Sequence, residues 1–247
     1  MMSPALALVA AAVGACGGSY VTTAALRSVR GEQAWHGRSH CDACRAGLTY
    51  LQTAPVVSYI GLRGACALCG ARIDPTHLIG EAIGGGVVGL SFLALPPWQA
   101  SLMAALGLTL LAAGVVDAKV QRLPDLTTLI VGVCAAGLAL MAGVQSFLIG
   151  LAAGALTFLV LEACRRLFAL TKGRSGLGFG DVKLAAALAF WLGIETPWMI
   201  MAASLGGLGF VALTRPREPR ISFGPFIAAS AWIIGFAGEA RWWPSPM

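Results

Sequence analysis

The sequence predicts an all-α fold, a polytopic membrane helix bundle of about eight transmembrane helices with a small four-cysteine cytoplasmic domain. Three observations predict it. Charged residues make up 11% of the 247 positions and hydrophobic residues 57%. The apolar residues arrive in blocks of about twenty rather than in amphipathic stripes. Four cysteines stand in two pairs inside the one long polar stretch. Lipid offers the backbone no hydrogen bonds, so each span must close its own, and blocks dominated by Ala, Leu, Gly and Val do so as helices rather than barrel strands.

The spans are expected at roughly 4–26, 77–96, 99–116, 126–143, 146–164, 182–193, 197–214 and 223–238. The first has small residues near its end, as a cleavable signal peptide would. Its amino end carries no basic residue, however, and Arg27 and Arg30 follow it, so it reads as a retained span with its N-terminus outside. The sixth, at about a dozen apolar residues, can cross only if Asp181 and Lys183 at its mouth sit in protein or water.

Alternating the eight spans places every one of the 17 Lys and Arg residues except Arg241 on one side. Basic loops stay in the cytoplasm, so both termini are expected outside, on the face away from the cytoplasm. The formal net charge of +6 then reflects topology, and nucleic acid is excluded as a partner. The bilayer itself is the first expected partner, and the oligomeric state is left open.

Cys41, Cys44, Cys66 and Cys69 read as C-x2-C-x21-C-x2-C, a spacing suited to a tetrahedral structural zinc site of four thiolates. Gly70 suits the tight turn after the second pair. A metal would hold together a loop of about fifty residues with too few apolar side chains for a core. Disulfides or free thiols are the alternatives, and the reducing cytoplasm argues against the first. His40 reads as a bystander, and Cys16, Cys134 and Cys164 as small packing residues.

Acidic residues are scarce, and Glu81, Asp117, Asp125, Glu162 and Asp181 lie in or at the edge of spans, where carboxylates are costly. Asp117 ends the third span in "GVVDAKVQRLPDLTT" and Asp181 opens the sixth in "GLGFGDVKL". Both fall at the cytoplasmic boundary. Two carboxyl groups meeting there can divide one proton, so that one acts as base and the other as acid, enough to activate water on a peptide carbonyl without a metal. Gly178 and Gly180 are expected to leave room for a substrate backbone and to permit backbone angles closed to other residues.

Bland readings stand beside these. Asp181 could merely cap the sixth helix, and Asp125 after Pro124 reads as a cap with a supporting role. Glu162 is explained by Arg165 and Arg166 at i+3 and i+4. Lys183 either tunes the charge of the pair or snorkels to the surface. Phe223, Gly224 and Pro225 read most simply as a helix break.

Together these motifs resemble the bacterial type IV prepilin peptidases, the leader peptidase family of GxGD-type intramembrane aspartyl proteases. The resemblance runs through "GGSY" and "RGE" within 17–32, "SHCDAC" (39–44), "APVVSYIGLRGACALCGARI" (54–73), "GEAIGG" (80–85), "DAKVQRLPDLTT" (117–128), "GLGFGDVKLAAALAFWLG" (176–193) and "ISFGPFIAASAW" (221–232). It implies cleavage of the short basic leader of type IV prepilins or pseudopilins just after a glycine, with Asp117 and Asp181 as the catalytic pair and no cofactor for proteolysis. It also implies three parts: a first transmembrane helix (1–26), a cytoplasmic zinc-binding loop domain (27–76) and a seven-helix aspartyl protease core (77–247). Many members also methylate the new N-terminus with S-adenosylmethionine, and Glu81 falls where the family has a Glu after the loop. Thr22 stands where the family has Asn and Val29 where it has Pro, which weighs against methylation here and leaves cleavage untouched.

Two other classes fit the composition: a transporter using carboxylates for proton coupling, and a membrane assembly factor without catalysis. A transporter would carry its ionisable groups near the bilayer midplane. Here they gather at one boundary.

Overall fold

The computed structural model describes residues 4–173, 176–215 and 221–242. Arg174, Arg217 and Arg220, and the side chain of Arg241, all counted in the charge argument above, lie outside it. Every long element among the described residues is a helix: α1 (Pro4–Val29), α2 (Val57–Gly61), α3 (Pro75–Ala94), α4 (Pro97–Val120), α5 (Asp125–Met141), α6 (Val144–Lys172), α7 (Phe179–Leu192), α8 (Thr196–Thr214) and α9 (Gly224–Trp242). Each of the eight expected spans coincides with one of these, α2 being a single short turn of the polar loop.

Among the described residues, five segments are long and apolar enough to cross a membrane: Ala5–Val29, Pro75–Ala94, Pro97–Val120, Val144–Lys172 and the 36-residue run Phe179–Thr214. That run contains α7 and α8, joined by the 3-10 turn Gly193–Glu195, and α5 is a shorter apolar helix of 17 residues. The chain is thus a multi-pass helical protein of membrane type, and the count of eight crossings is not confirmed by length alone.

The chain divides into two compact units, residues 1–115 and 116–247, with the boundary inside α4. In the first, α1 packs along α3. The approach is set by small residues: a Cβ on Gly18 would stand 2.3 Å from the Gly80 carbonyl oxygen, one on Gly84 2.5 Å from the Gly14 carbonyl oxygen, and one on Gly80 2.0 Å from Thr22 Oγ1. Lipid-embedded helices gain little from hydrophobic exclusion, so close backbone packing of this kind is what joins them. Asp74 starts α3 by accepting the Thr76 N–H at 2.8 Å, with Pro75 in the first turn.

In the second unit α7 is the central helix, packed against α5, α6, α8 and α9. Val182, Leu188 and Ala189 on it are fully buried. Gly150 lets α6 approach so closely that a Cβ there would stand 2.0 Å from the Phe190 carbonyl oxygen, and Gly235 of α9 makes room for the Trp191 ring. A short, tightly enclosed helix tolerates a polar first turn because protein, not lipid, surrounds it.

Candidate active site and metal centre

Asp117 lies in the last turn of α4 and is only 5% exposed. α4 stops just after it. Gln121 turns into a left-handed conformation (φ 53°) while its N–H still bonds the Asp117 carbonyl oxygen at 2.8 Å, and Pro124 then caps α5. The Asp117 side chain is held from the start of α9: its Oδ2 accepts the Gly224 backbone N–H at 2.9 Å. The Ser222 hydroxyl donates to the Asp117 carbonyl oxygen, also at 2.9 Å.

Asp181 is the third residue of α7, whose N-cap is Gly178. It does not cap the helix itself; it stands one turn in, with its carboxylate beside the Gly178 backbone. Its Oδ1 is buried with no hydrogen-bond partner among the described residues. Asp117 and Asp181 lie within electrostatic reach of each other. The two carboxylates that sequence reasoning singled out, 64 positions apart, thus lie at the ends of α4 and α7 in the same compact unit.

The glycines beside Asp181 do not need the special backbone angles expected of them. Neither Gly178 nor Gly180 has a positive φ. A Cβ on Gly178 would stand 2.8 Å from Asp181 Oδ2, and one on Gly180 3.0 Å from Leu123 Cβ in the turn between α4 and α5. They make room for the carboxylate and for the turn that follows Asp117.

Asp125 is the first residue of α5 and makes no cap hydrogen bond; Pro124 is the N-cap. Its carboxylate pairs instead with the Lys183 ammonium, so Lys183 is bound to a partner rather than snorkelling free. Lys183 and Arg165 also stand over the Phe179 ring, 5.1 and 5.3 Å from its centroid. Glu162 binds Arg165 and Arg166, as the i+3 and i+4 spacing predicts. Sequence reasoning missed Ser222 and Phe179, and it read Gly224 as a helix break or as shaping the entrance of the last span, not as a partner of Asp117. The punctuation "SFGP" was the available signal.

The first unit holds a second cluster. The Sγ atoms of Cys41, Cys44, Cys66 and Cys69 all lie within 4.8 Å of one another, and those of Cys41 and Cys69 are 3.8 Å apart. Four sulfurs at about 2.3 Å from a tetrahedral zinc ion would be separated by about 3.8 Å, so the cage fits the metal. The local fold is built twice. Cys41 N–H bonds the Ala46 carbonyl and Arg45 N–H the Cys41 carbonyl; Cys66 N–H bonds the Ala71 carbonyl and Gly70 N–H the Cys66 carbonyl. Both corners need a left-handed residue, Arg45 at φ 59° and Gly70 at φ 70°. Backbone N–H groups of Cys69 and Leu68 aimed at the Cys66 sulfur lower its thiol to about 6, which favours the thiolate a metal requires.

Glu81 of α3 is buried and doubly held, accepting the Ser19 hydroxyl at 2.8 Å and the Val56 N–H at 2.7 Å. Val56 adopts φ 63°, a costly conformation for a β-branched residue. Glu81 lines a cavity of about 390 Å³ together with Ser19, Arg27, Arg30, Tyr59 and His77. Thr22 lies elsewhere, buried in the α1–α3 contact.

A helical membrane-type chain with a buried and a half-buried aspartate at two helix ends of one unit and a four-thiolate cage defines a narrow class, and comparison with known proteins places it. Residues 12–95 match the bacterial peptidase A24 N-terminal domain and residues 104–212 the type IV leader peptidase family. The chain is 36% identical over 209 residues to a prepilin leader peptidase/N-methyltransferase of Burkholderia pseudomallei, covering 81% of this chain and 67% of the relative. It is 33% identical over 217 residues to the protein of that name in Aeromonas salmonicida (84% and 75%) and 31% over 208 residues to that of Neisseria gonorrhoeae (83% and 72%). No solved structure gives a significant match. The chain belongs to the type IV leader peptidase family.

Proposed function

We propose that the protein is an intramembrane aspartic endopeptidase that removes the short basic leader of a type IV prepilin or pseudopilin at the cytoplasmic face of the inner membrane. The observation that carries this reading is that Asp117 and Asp181 lie at helix ends of the same unit, near enough for the charge of Asp117 to act on Asp181. Two carboxylates so placed hold one proton between them. One takes a proton from water as the water attacks the scissile carbonyl; the other, protonated, donates to the developing oxyanion, and collapse of the intermediate expels the new amine and resets the pair. The substrate's apolar helix sits in the bilayer and its leader in the cytoplasm, so depth brings the bond after the leader to these two residues.

Gly178 and Gly180 support the site by clearing space around Asp181 and beside Leu123, and the Lys183–Asp125 pair fixes the mouth of α7 against α5. Both termini face the periplasm in this reading, and residues 27–76 form a cytoplasmic domain whose four cysteines hold zinc in a structural role. A transporter or a non-catalytic assembly factor leaves the paired aspartates, or the family membership, without a purpose.

N-methylation of the newly exposed amine is a second activity, supported by the cavity around Glu81 and by the names of the relatives. Its volume suits a small cofactor. Glu81 would hold a cationic centre and Arg27 and Arg30 a carboxylate; S-adenosylmethionine, when bound, supplies the methyl group. Thr22 does not line this cavity, so its departure from the family pattern leaves the cavity intact.

The test is cleavage of a synthetic prepilin N-terminal peptide by the purified protein in detergent, without added metal. Cleavage after the leader glycine supports the proposal; no cleavage of any prepilin leader overturns it.

A further inference from the structure

We propose that Ser222 and Gly224, at the entrance to α9, are positioning residues for Asp117. The inference rests on the peptidase reading above and adds to it a third element beside the two aspartate-bearing helices.

The two carboxylates are not held alike. Asp117 is gripped twice by one short segment: Ser222 Oγ binds its main-chain carbonyl and the Gly224 N–H binds Oδ2, both at 2.9 Å. Asp181 has its Oδ1 buried without a partner. Gly224 is the first residue of α9, and the first helical turn closes behind it, with the Phe226 and Ile227 N–H groups both bonding the Phe223 carbonyl. The Gly224 N–H is therefore one of the donors a helix leaves unpaired at its start, on the end where the peptide dipoles place positive charge. A carboxylate is the partner that such a donor favours, and a donor to the charged form holds that form in place.

Glycine at 224 is required by space, since its φ is not positive. A Cβ there would stand 2.8 Å from Asp117 Oδ2, 3.1 Å from Cγ and 3.2 Å from Cβ. The backbone N–H reaches the carboxylate only because nothing projects from the α-carbon. α9 in turn packs on α7, the helix that carries Asp181. One helix thus touches both aspartate-bearing elements and sets the orientation of one.

The experiment compares the full chain with S222A, S222T and G224A in detergent micelles, measuring kcat and KM for a prepilin N-terminal peptide. Loss of a hydrogen bond to a charged group predicts a fall in kcat of about tenfold to a hundredfold in G224A. S222A should lose about threefold to tenfold, and S222T, which keeps a hydroxyl, should return to near the parent rate. KM should stay within about twofold throughout, because neither residue touches substrate. Parent-like kcat in both S222A and G224A, or a rise in KM with kcat unchanged, overturns the proposal. If G224A fails to fold, the S222A and S222T pair decides alone: equal rates in the two overturn it. A parent protein that cleaves no leader at all defeats the peptidase reading, and this inference with it.

Discussion

Lys183 of α7 and Asp125 of α5 form an ion pair across 58 positions of sequence, tying together the first turns of two neighbouring helices. The Asp125 side chain is 83% exposed, so the pair adds little stability, within about 1 kcal/mol. Its expected effect is on orientation, because Lys183 is two residues from Asp181. Asp125→Asn and Lys183→Met should lower kcat by about twofold to fivefold with melting temperature nearly unchanged, and a charge swap of the two should recover most of the loss. Steady-state kinetics beside thermal melts check this.

Asp117→Asn and Asp181→Asn should each reduce cleavage by about a thousandfold or more, since a pair that shares a proton fails when either member can no longer carry it. Mass spectrometry of the substrate peptide reads the loss, and an unchanged helical circular dichroism signal excludes unfolding. Retained cleavage in either variant would show that the chemistry lies elsewhere.

Replacing the four loop cysteines by serine should remove one equivalent of bound zinc, measured by elemental analysis, and expose residues 30–74 to limited proteolysis. Chelation of the parent should do the same. Cleavage by Asp117 and Asp181 should survive both treatments, since these residues belong to the other compact unit.

Gly18→Leu and Gly80→Val should separate α1 from α3. A Cβ on Gly18 meets the Gly80 carbonyl oxygen at 2.3 Å, and one on Gly80 meets Thr22 Cβ at 2.9 Å as well as its Oγ1 at 2.0 Å, so rotating Thr22 does not clear the contact. Overpacking of this kind costs about 1–3 kcal/mol or more. Hydrogen exchange should quicken across both helices, whereas Gly86→Ala, which has open space beside it, serves as a silent control.

Glu81→Gln should lower N-methylation of the processed peptide at least tenfold while leaving leader removal within about twofold, because the amide cannot balance a cationic ligand. The mass of the product's first residue, with S-adenosylmethionine supplied, separates the two activities. Equal loss of both would remove Glu81 from the methylation site.

Much of this architecture was legible in the amino-acid string because its determinants are local. Apolar blocks coincide with helices, paired cysteines with a cage of four sulfurs, and Glu162 with its two arginines one turn away. Asp117 and Asp181 were legible for a different reason: carboxylates are expensive at the edge of a bilayer, so the few that occur there stand out. What escaped was carried by backbone groups and by empty space. The Gly224 N–H has no side-chain signature, and the closeness of α7 to α9 depends on tertiary packing. The special backbone angles expected at Gly178 and Gly180 are absent, because the sequence shows that a side chain is missing without showing what lies in its place. Arg45 was missed as the counterpart of Gly70 because a non-glycine residue in a left-handed turn has no reliable sequence mark.

That last asymmetry has a physical outcome. The twin corners of the sulfur cage share one backbone design, but Arg45 brings a guanidinium to its corner, which binds Glu32 and His40, while Gly70 brings nothing. The hydrogen bond from Arg45 holds the Glu32 carboxyl below its usual range. The support it lends is present above the ordinary glutamate pKa and lost as acidity rises through the lowered value. One flank of the cage is therefore latched by charge and the other by shape alone, so brine or acid should loosen the Cys41–Cys44 hairpin first and leave its twin fastened.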